Sequence, residues 1–113
     1  MADCLFCSIV AEEIPADIVL SNDDVVAFRD IAPQAPVHVL VVPREHHANV
    51  GELASAAPAT TATLLQAAHE VAADEGVGDA YRVVFNTGTG AGQTVCHIHA
   101  HVIGGRNLEG PPG

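Results

Sequence analysis

The segment from residue 96 to residue 105, Cys-His-Ile-His-Ala-His-Val-Ile-Gly-Gly, restricts the fold more than any other stretch of this chain. Polar and apolar residues alternate in it, and side chains on a β-strand point alternately to opposite faces. The alternation predicts a strand over residues 94–103, with His97, His99 and His101 on one face beside Val95. The opposite face is predicted to enter the core: Cys96, Ile98, Ala100 and Val102. Cys96 is therefore interpreted as a small buried hydrophobe.

Patterns elsewhere in the chain predict the elements that surround this strand. Residues 5–13 fit a short helix, and residues 58–75 fit a long helix with Pro58 in its first turn and Gly76 at its end. The apolar face of the long helix is predicted to comprise Leu64, Leu65, Ala68, Val71 and Ala72. The other apolar runs predict strands, over residues 17–21, 24–30, 37–42 and 81–86. Consecutive strands with short links favour an antiparallel sheet, and hence a single α+β domain spanning residues 1–113.

The net charge of the chain limits the classes of partner that it can bind. Acidic residues outnumber basic ones 14 to 4, and the formal net charge is -10. A field of this sign repels nucleic acid and anionic membranes, so neither is expected as a partner. An anionic ligand would need local donors to hold it. No run approaches the roughly 20 apolar residues of a membrane span, and the start of the chain lacks the pattern of a signal peptide. The sequence therefore predicts a cytoplasmic protein.

Three imidazoles on one face admit three interpretations. The first interpretation is a metal site, because histidines at i and i+2 can chelate zinc. The second is a nucleophile with its acid–base partners, because imidazole titrates near neutrality. The third is a solvated face of the sheet without a chemical role. The loop over residues 87–93 favours the second interpretation, because Gly88, Gly90 and Gly92 let the backbone approach an anion. With the side-chain donors of Gln93 and Thr94, the loop resembles a phosphate cradle beside a nucleophile.

The histidine motif with its surroundings resembles a known family. Residues 97–103 match the histidine triad, His-x-His-x-His followed by two apolar residues. The flanks agree over nearly the whole chain, at residues 13–16, 27–31, 33–36, 38, 86, 92–94, 104–106 and 111–113. The chain is identified by this resemblance as similar to the histidine triad nucleotide-binding (Hint) branch of the histidine triad superfamily, the purine nucleoside phosphoramidases.

The resemblance implies a fold, an assembly and a reaction. The fold is a five-stranded antiparallel sheet with one long and one short helix, and two copies join into a ten-stranded sheet. The reaction is hydrolysis of purine nucleoside 5′-phosphoramidates through a nucleotidyl intermediate on His99, without a catalytic cofactor. The other implied catalytic residues are His97, His101 and His38. The implied base slot consists of Leu5, Phe6, Ile9, Phe28 and Ile31. The implied sugar and phosphate contacts come from Asp30, Asn86, Gly92, Gln93, Thr94, His99 and His101.

A Cys-x-x-Cys pair at Cys4 and Cys7 forms half of a zinc site on its spacing alone. The resemblance to bacterial relatives with such a pair implies two further ligands, His46 and His97, and thus a structural Cys2His2 zinc site. Free thiols and redox chemistry remain alternatives for the pair.

Three alternatives to a phosphoramidase stay open at this stage. One is hydrolysis of dinucleoside polyphosphates within the same superfamily. Another is a nucleotide-binding module that regulates a partner, with incidental catalysis. The third is a metalloenzyme with zinc on all three triad histidines.

Overall fold

The computed structural model of the protein describes residues 4–109; the predicted match at residues 111–113 lies outside this range. Within this range a short helix comes first, three strands follow it, and two further helices separate them from the last two strands. In order, they are α1 (Leu5–Val10), β1 (Ile18–Ser21), β2 (Val25–Arg29), β3 (Val37–Pro43), α2 (Val50–Ala56), α3 (Pro58–Asp74), β4 (Tyr81–Val84) and β5 (Ala100–Gly104). A single 3₁₀ turn, Thr89–Ala91, lies in the glycine-rich loop.

The five strands form one antiparallel sheet in the order β1-β2-β3-β5-β4, which confirms the predicted fold class. Two helical details differ from the expectation. The first helix ends at Val10, and α2 is an additional helix between β3 and α3. The side chain of Asn49 accepts a hydrogen bond from the backbone N–H of Glu52, which caps the start of α2.

The histidine segment is a strand only in its second half. Residues 95–97 bend, and β5 begins at Ala100. The alternation rule therefore fails before residue 98, and Cys96 is exposed, so its predicted place in the core is wrong. From Ile98 onward the prediction holds, because Ile98, Ala100 and Val102 are all buried in the core.

Helix α3 covers one face of the sheet. Its buried residues follow the i, i+3, i+4 spacing of a single helical stripe: Leu64, Ala67, Ala68, Val71 and Ala72. Leu65 was predicted on this stripe but is 48% exposed, because it lies about one third of a turn beyond Leu64. Ala67 takes its place. This packing leaves the opposite face of the sheet available to the histidines.

Helix α1 covers part of that opposite face. Phe6 and Ile9 pack with Phe28 of β2 and Leu40 of β3 in a second buried cluster. The rings of Phe6 and Phe28 meet edge to face at 5.5 Å between centroids. The α1 end of the face is therefore closed by apolar side chains. None of the helices described within residues 4–109 has the length and hydrophobicity that a membrane span requires.

Candidate active site

Strand register places the histidines in the middle of the face that α1 partly covers. His101 of β5 pairs with Leu40 of β3 on one side and with Val84 of β4 on the other. His38 of β3 pairs with Ile103, two residues further along β5. Because cross-strand partners share a face, His38 and His101 lie diagonally next to each other.

Hydrogen bonds fix the tautomers of this pair. The backbone N–H of Gln34 donates to Nδ1 of His38 over 3.0 Å, so a neutral His38 carries its proton on Nε2. That Nε2 lies 3.0 Å from Nδ1 of His101 and 3.4 Å from a carboxylate oxygen of Asp30. If His38 donates to His101, the proton of a neutral His101 is on its outer nitrogen, Nε2.

His101 is held in its neutral form by its surroundings. Burial, together with the smaller effects of the neighbouring His99 and His38, lowers the pKa of His101 to about 4, while Asp30 acts in the opposite direction. At neutral pH the ring is therefore uncharged, as the hydrogen bond at its Nδ1 requires.

His99 has one nitrogen committed to the backbone. Its Nδ1 lies 2.8 Å from the carbonyl oxygen of His97 and can only donate to it. The neutral ring then carries its lone pair on Nε2, which has no hydrogen-bond partner within residues 4–109. Phe6 meets the His99 ring edge-on at 4.9 Å, and the His101 ring lies at 5.0 Å. The imidazole is thus oriented from three sides.

The first triad histidine faces away from the other two, toward the cysteine pair. Nδ1 of His97 lies 3.4 Å from the sulfur of Cys4 and 3.5 Å from that of Cys7, and Nδ1 of His46 lies 3.2 Å from Cys7. The four ligand atoms lie within 4.8 Å of one another. Nε2 of His97 donates to the carbonyl oxygen of Pro43 at 2.9 Å, which leaves Nδ1 unprotonated toward the sulfurs.

This donor set fits a zinc ion. Tetrahedral zinc with Zn–S near 2.3 Å and Zn–N near 2.0 Å separates sulfur and nitrogen ligands by about 3.5 Å, and the sulfur–nitrogen distances here are close to that value. Burial, together with Cys4, raises the pKa of the Cys7 thiol to about 11. A divalent cation between the sulfurs would act against this increase, because it stabilises thiolates.

The glycine-rich loop is braced from inside by Gln93. Its side-chain oxygen accepts from the backbone N–H of Gly88, and its amide nitrogen donates to the carbonyls of Ala48 and Val95. Both amide protons are therefore engaged, so the predicted side-chain donation from Gln93 to a phosphate is not available in this structure. Its role here is to shape the loop.

The other predicted phosphate and sugar residues are spread around the triad. Asn86 donates to the carbonyl of Ala91, and Gly92 next to it has a positive φ of 90° that a side chain would strain. Asp30 accepts a hydrogen bond from the backbone of Ala32 and reaches His38. Thr94 is exposed and lines a cavity with Cys4 and other residues around the cysteine pair.

The residues of the predicted base slot fall into a buried group, here called the floor, and an exposed group, here called the rim. Phe6, Ile9 and Phe28 are buried in the cluster under α1, whereas Leu5 and Ile31 are 45% and 100% exposed. The structure adds Leu40, which belongs to the same cluster and flanks His101. The alternation of residues 37–42 already places Leu40 on the face of His38, and this signal could have identified it.

Comparisons with known protein sequences indicate the family of this chain. The model of the HIT domain family matches residues 11–108. An uncharacterised HIT-like protein of Synechococcus elongatus is 50% identical over 111 residues, which cover 98% of this chain and 97% of that protein.

Solved structures show the same architecture. The crystal structure of a HIT family hydrolase from Legionella pneumophila superposes with a TM-score of 0.94 at 44% identity, over 98% of this chain and 100% of that one. A histidine triad nucleotide-binding protein from Candida albicans superposes with a TM-score of 0.79 at 27% identity, over 98% of this chain and 85% of that one. By its sequence and by its fold, this chain belongs to the HIT family.

Proposed function

We propose that this protein is a Hint-type hydrolase that cleaves the P–N bond of purine nucleoside 5′-phosphoramidates through a nucleotidyl intermediate on His99. The observation that carries the proposal is the hydrogen bond from Nδ1 of His99 to the carbonyl of His97, which leaves Nε2 with its lone pair beside His101. HIT family membership and the similarity to a HIT family hydrolase support a hydrolytic reaction.

In the first step, Nε2 of His99 attacks phosphorus and the P–N bond breaks. The departing amine nitrogen takes its proton from Nε2–H of His101. His38 supports this transfer, because its Nε2–H is hydrogen-bonded to Nδ1 of His101 and can follow the outer proton as it leaves. The positive charge that forms on the attacked His99 ring, 5.0 Å from the His101 ring, offsets the negative charge left on this pair until the second step returns the proton. Nδ1–H of His99 remains hydrogen-bonded to the carbonyl oxygen of His97, and this hydrogen bond helps to stabilise the positive charge on the attacked ring.

In the second step, water replaces the amine. The outer nitrogen of His101, now without its proton, accepts one from water, and the oxygen attacks phosphorus. The bond to His99 breaks, and the products are a nucleoside monophosphate and the free amine. Phosphoramidate and water are the only reactants, so the sequence of steps balances without a cofactor.

We propose a position for the nucleotide from the arrangement of the base slot, the triad and the glycine-rich loop. The base rests on the floor of Phe6, Ile9 and Phe28, with exposed Leu5 and Ile31 as its rim. Asp30 is on the sugar side. The phosphate lies between the triad and the loop at Gly92, where backbone N–H groups rather than the Gln93 side chain act as donors, with the hydroxyl of Thr94 from the end of the loop.

Activity assays distinguish this proposal from its closest rival. We expect adenosine 5′-phosphoramidate to be hydrolysed with a kcat/KM at least about 100-fold above that of diadenosine polyphosphates. The reason is that His101 presents one proton for an amine leaving group, and a phosphate leaving group needs none. Similar rates on both substrates would favour a dinucleoside polyphosphate hydrolase. Nucleotide binding without turnover of either would favour a regulatory binding module.

The geometry gives no support to a zinc ion held by all three triad histidines. Within residues 4–109, the grouped metal-ligand atoms include His97 in one cluster and His101 in another, and His99 in neither. We propose instead that Cys4, Cys7, His46 and His97 hold one structural zinc ion. A bound zinc ion would link α1 to the chain before β5 and supply cross-linking rather than catalysis.

We further propose that two copies join through the edge strand β4. Within residues 4–109, this strand pairs with β5 alone and does so in regular register, whereas the other edge strand, β1, contains a register shift. Regular edges offer unpaired backbone groups to a second sheet. Sedimentation equilibrium is expected to give twice the monomer mass at micromolar concentration, and a monomer mass would contradict this pairing.

A further inference from the structure

A cavity of about 300 Å³ opens on the side of the triad opposite the base slot. His101 and His38 line it from the sheet, and β4 and the segment after β5 close it with Arg82 and Arg106. Among the residues that the structure describes, no aspartate or glutamate lines this cavity. Two of the four basic residues of a chain with net charge -10 thus meet beside the triad.

Both guanidinium groups are held in place by backbone carbonyls. Arg82 donates to the carbonyl of Leu108 at 3.2 Å, and Arg106 donates to the carbonyls of Gln34 and Asn107 at 3.0 and 3.2 Å. Within residues 4–109, neither has a carboxylate at salt-bridge distance. A guanidinium carries five N–H donors, so each keeps donors and its full charge for a ligand.

The sheet determines which part of a substrate would reach these arginines. Arg82 pairs with Ile103, and Ile103 in turn pairs with His38, so the three lie in one row across β4, β5 and β3. His101 lies in the next row, with Leu40 and the base slot on its β3 side. A phosphorus atom at the triad, with its base toward α1, has its leaving group on the β4 side.

We propose that Arg82 and Arg106 form a leaving-group subsite for a carboxylate, so that the preferred substrates are nucleoside phosphoramidates of amino acids with a free carboxylate. This rests on the proposed phosphoramidase function and adds the class of amine. Guanidinium groups match carboxylates geometrically, and they offset the repulsion that an acidic leaving group meets from the rest of this acidic chain.

A pair of isosteric substrates tests the proposal. Adenosine 5′-phosphoramidates of glycine and of glycinamide differ only in a carboxylate and a neutral carboxamide. We expect kcat/KM to favour the glycine compound about tenfold, which is the range of one charge-assisted hydrogen bond. In Arg82→Gln and in Arg106→Gln this preference falls toward unity, while turnover of the glycinamide compound is kept and reports that the variants are folded.

Arg44→Gln is the matched control. Arg44 also donates to a backbone carbonyl, that of Asn22, and also lacks a carboxylate partner in the described range, but it lines a different cavity, near Ile14. The control should keep the wild-type preference. No preference in the wild type, or a preference that survives both Arg82→Gln and Arg106→Gln, overturns the subsite.

A binding measurement separates failure of the subsite from failure of the proposed function. The affinities of both compounds are measured by calorimetry on the His99→Ala background, alone and combined with each arginine variant. If the wild type hydrolyses neither compound, the phosphoramidase proposal fails, while the ratio of affinities still decides the subsite. Equal affinity for the two compounds would reject it there as well.

Discussion

Replacement of His99 by alanine is expected to lower kcat for adenosine 5′-phosphoramidate by at least about 10³-fold, the scale on which loss of a catalytic nucleophile acts. The variant keeps the phosphate-side loop, His38 and His101, but has no nitrogen that can bond to phosphorus. Affinity for adenosine monophosphate should change by less than about tenfold, because the base slot and the loop remain. Stopped assays and calorimetry measure the two quantities.

His69→Ala controls for a general effect of losing an imidazole. His69 is exposed on α3 and bonds to the hydroxyl of Tyr81, away from the triad. We expect its kcat to stay within about twofold of wild type. Full activity in His99→Ala would show that another group attacks phosphorus, and loss of both binding and activity would point to a structural role.

If Cys4, Cys7, His46 and His97 hold a zinc ion as proposed, its removal by a chelator is expected to lower the melting temperature by roughly 15 °C. An ion present at a thousandfold its dissociation constant stabilises the folded state by about 4 kcal/mol, and each kcal/mol shifts the melting temperature by about 4 °C in a domain of this size. Cys4→Ser should melt near the chelated wild type and should contain less than about 0.1 zinc per chain. Calorimetry and metal analysis test both statements.

Two control variants show whether a loss of zinc and of melting temperature is specific to the proposed Cys2His2 site. Cys96 is exposed and outside the ligand cluster, so Cys96→Ser should keep one zinc per chain and the wild-type melting temperature. His99→Ala should keep its zinc as well. Zinc lost with His99 but retained in Cys4→Ser would place the ion on the triad and contradict the Cys2His2 site.

The strands and the long helix were predictable because their patterns are local. The apolar run before Pro43, and the periodicity that ends at Gly76, each depend on neighbouring residues alone. Helix α2 was missed, although Asn49 followed by Glu52 three residues later resembles a capping signal. The bend at residues 95–97 was also missed. Alternation in the sequence gives no sign of it, because it arises where His97 turns toward Cys4 and Cys7.

The histidine motif and its neighbours predicted a candidate site, but the arrangement of its protons required coordinates. Nothing in the spacing of His38 and His101 shows that their nitrogens lie 3.0 Å apart, since the contact depends on register between β3 and β5. Likewise, Gln93 was predicted as a phosphate donor, and only the structure shows its amide bound to Ala48 and Val95. The single-domain organisation over residues 1–113 stays a prediction.

Trapping the covalent intermediate tests the central claim most directly. Wild-type protein mixed with an excess of adenosine 5′-phosphoramidate is quenched in alkali within milliseconds, digested and mapped by tandem mass spectrometry. The proposed mechanism predicts one adenylyl group per modified chain, on His99 and absent from His99→Ala. An adduct on His97, His101 or a cysteine, or rapid turnover that proceeds without any adduct, would contradict it.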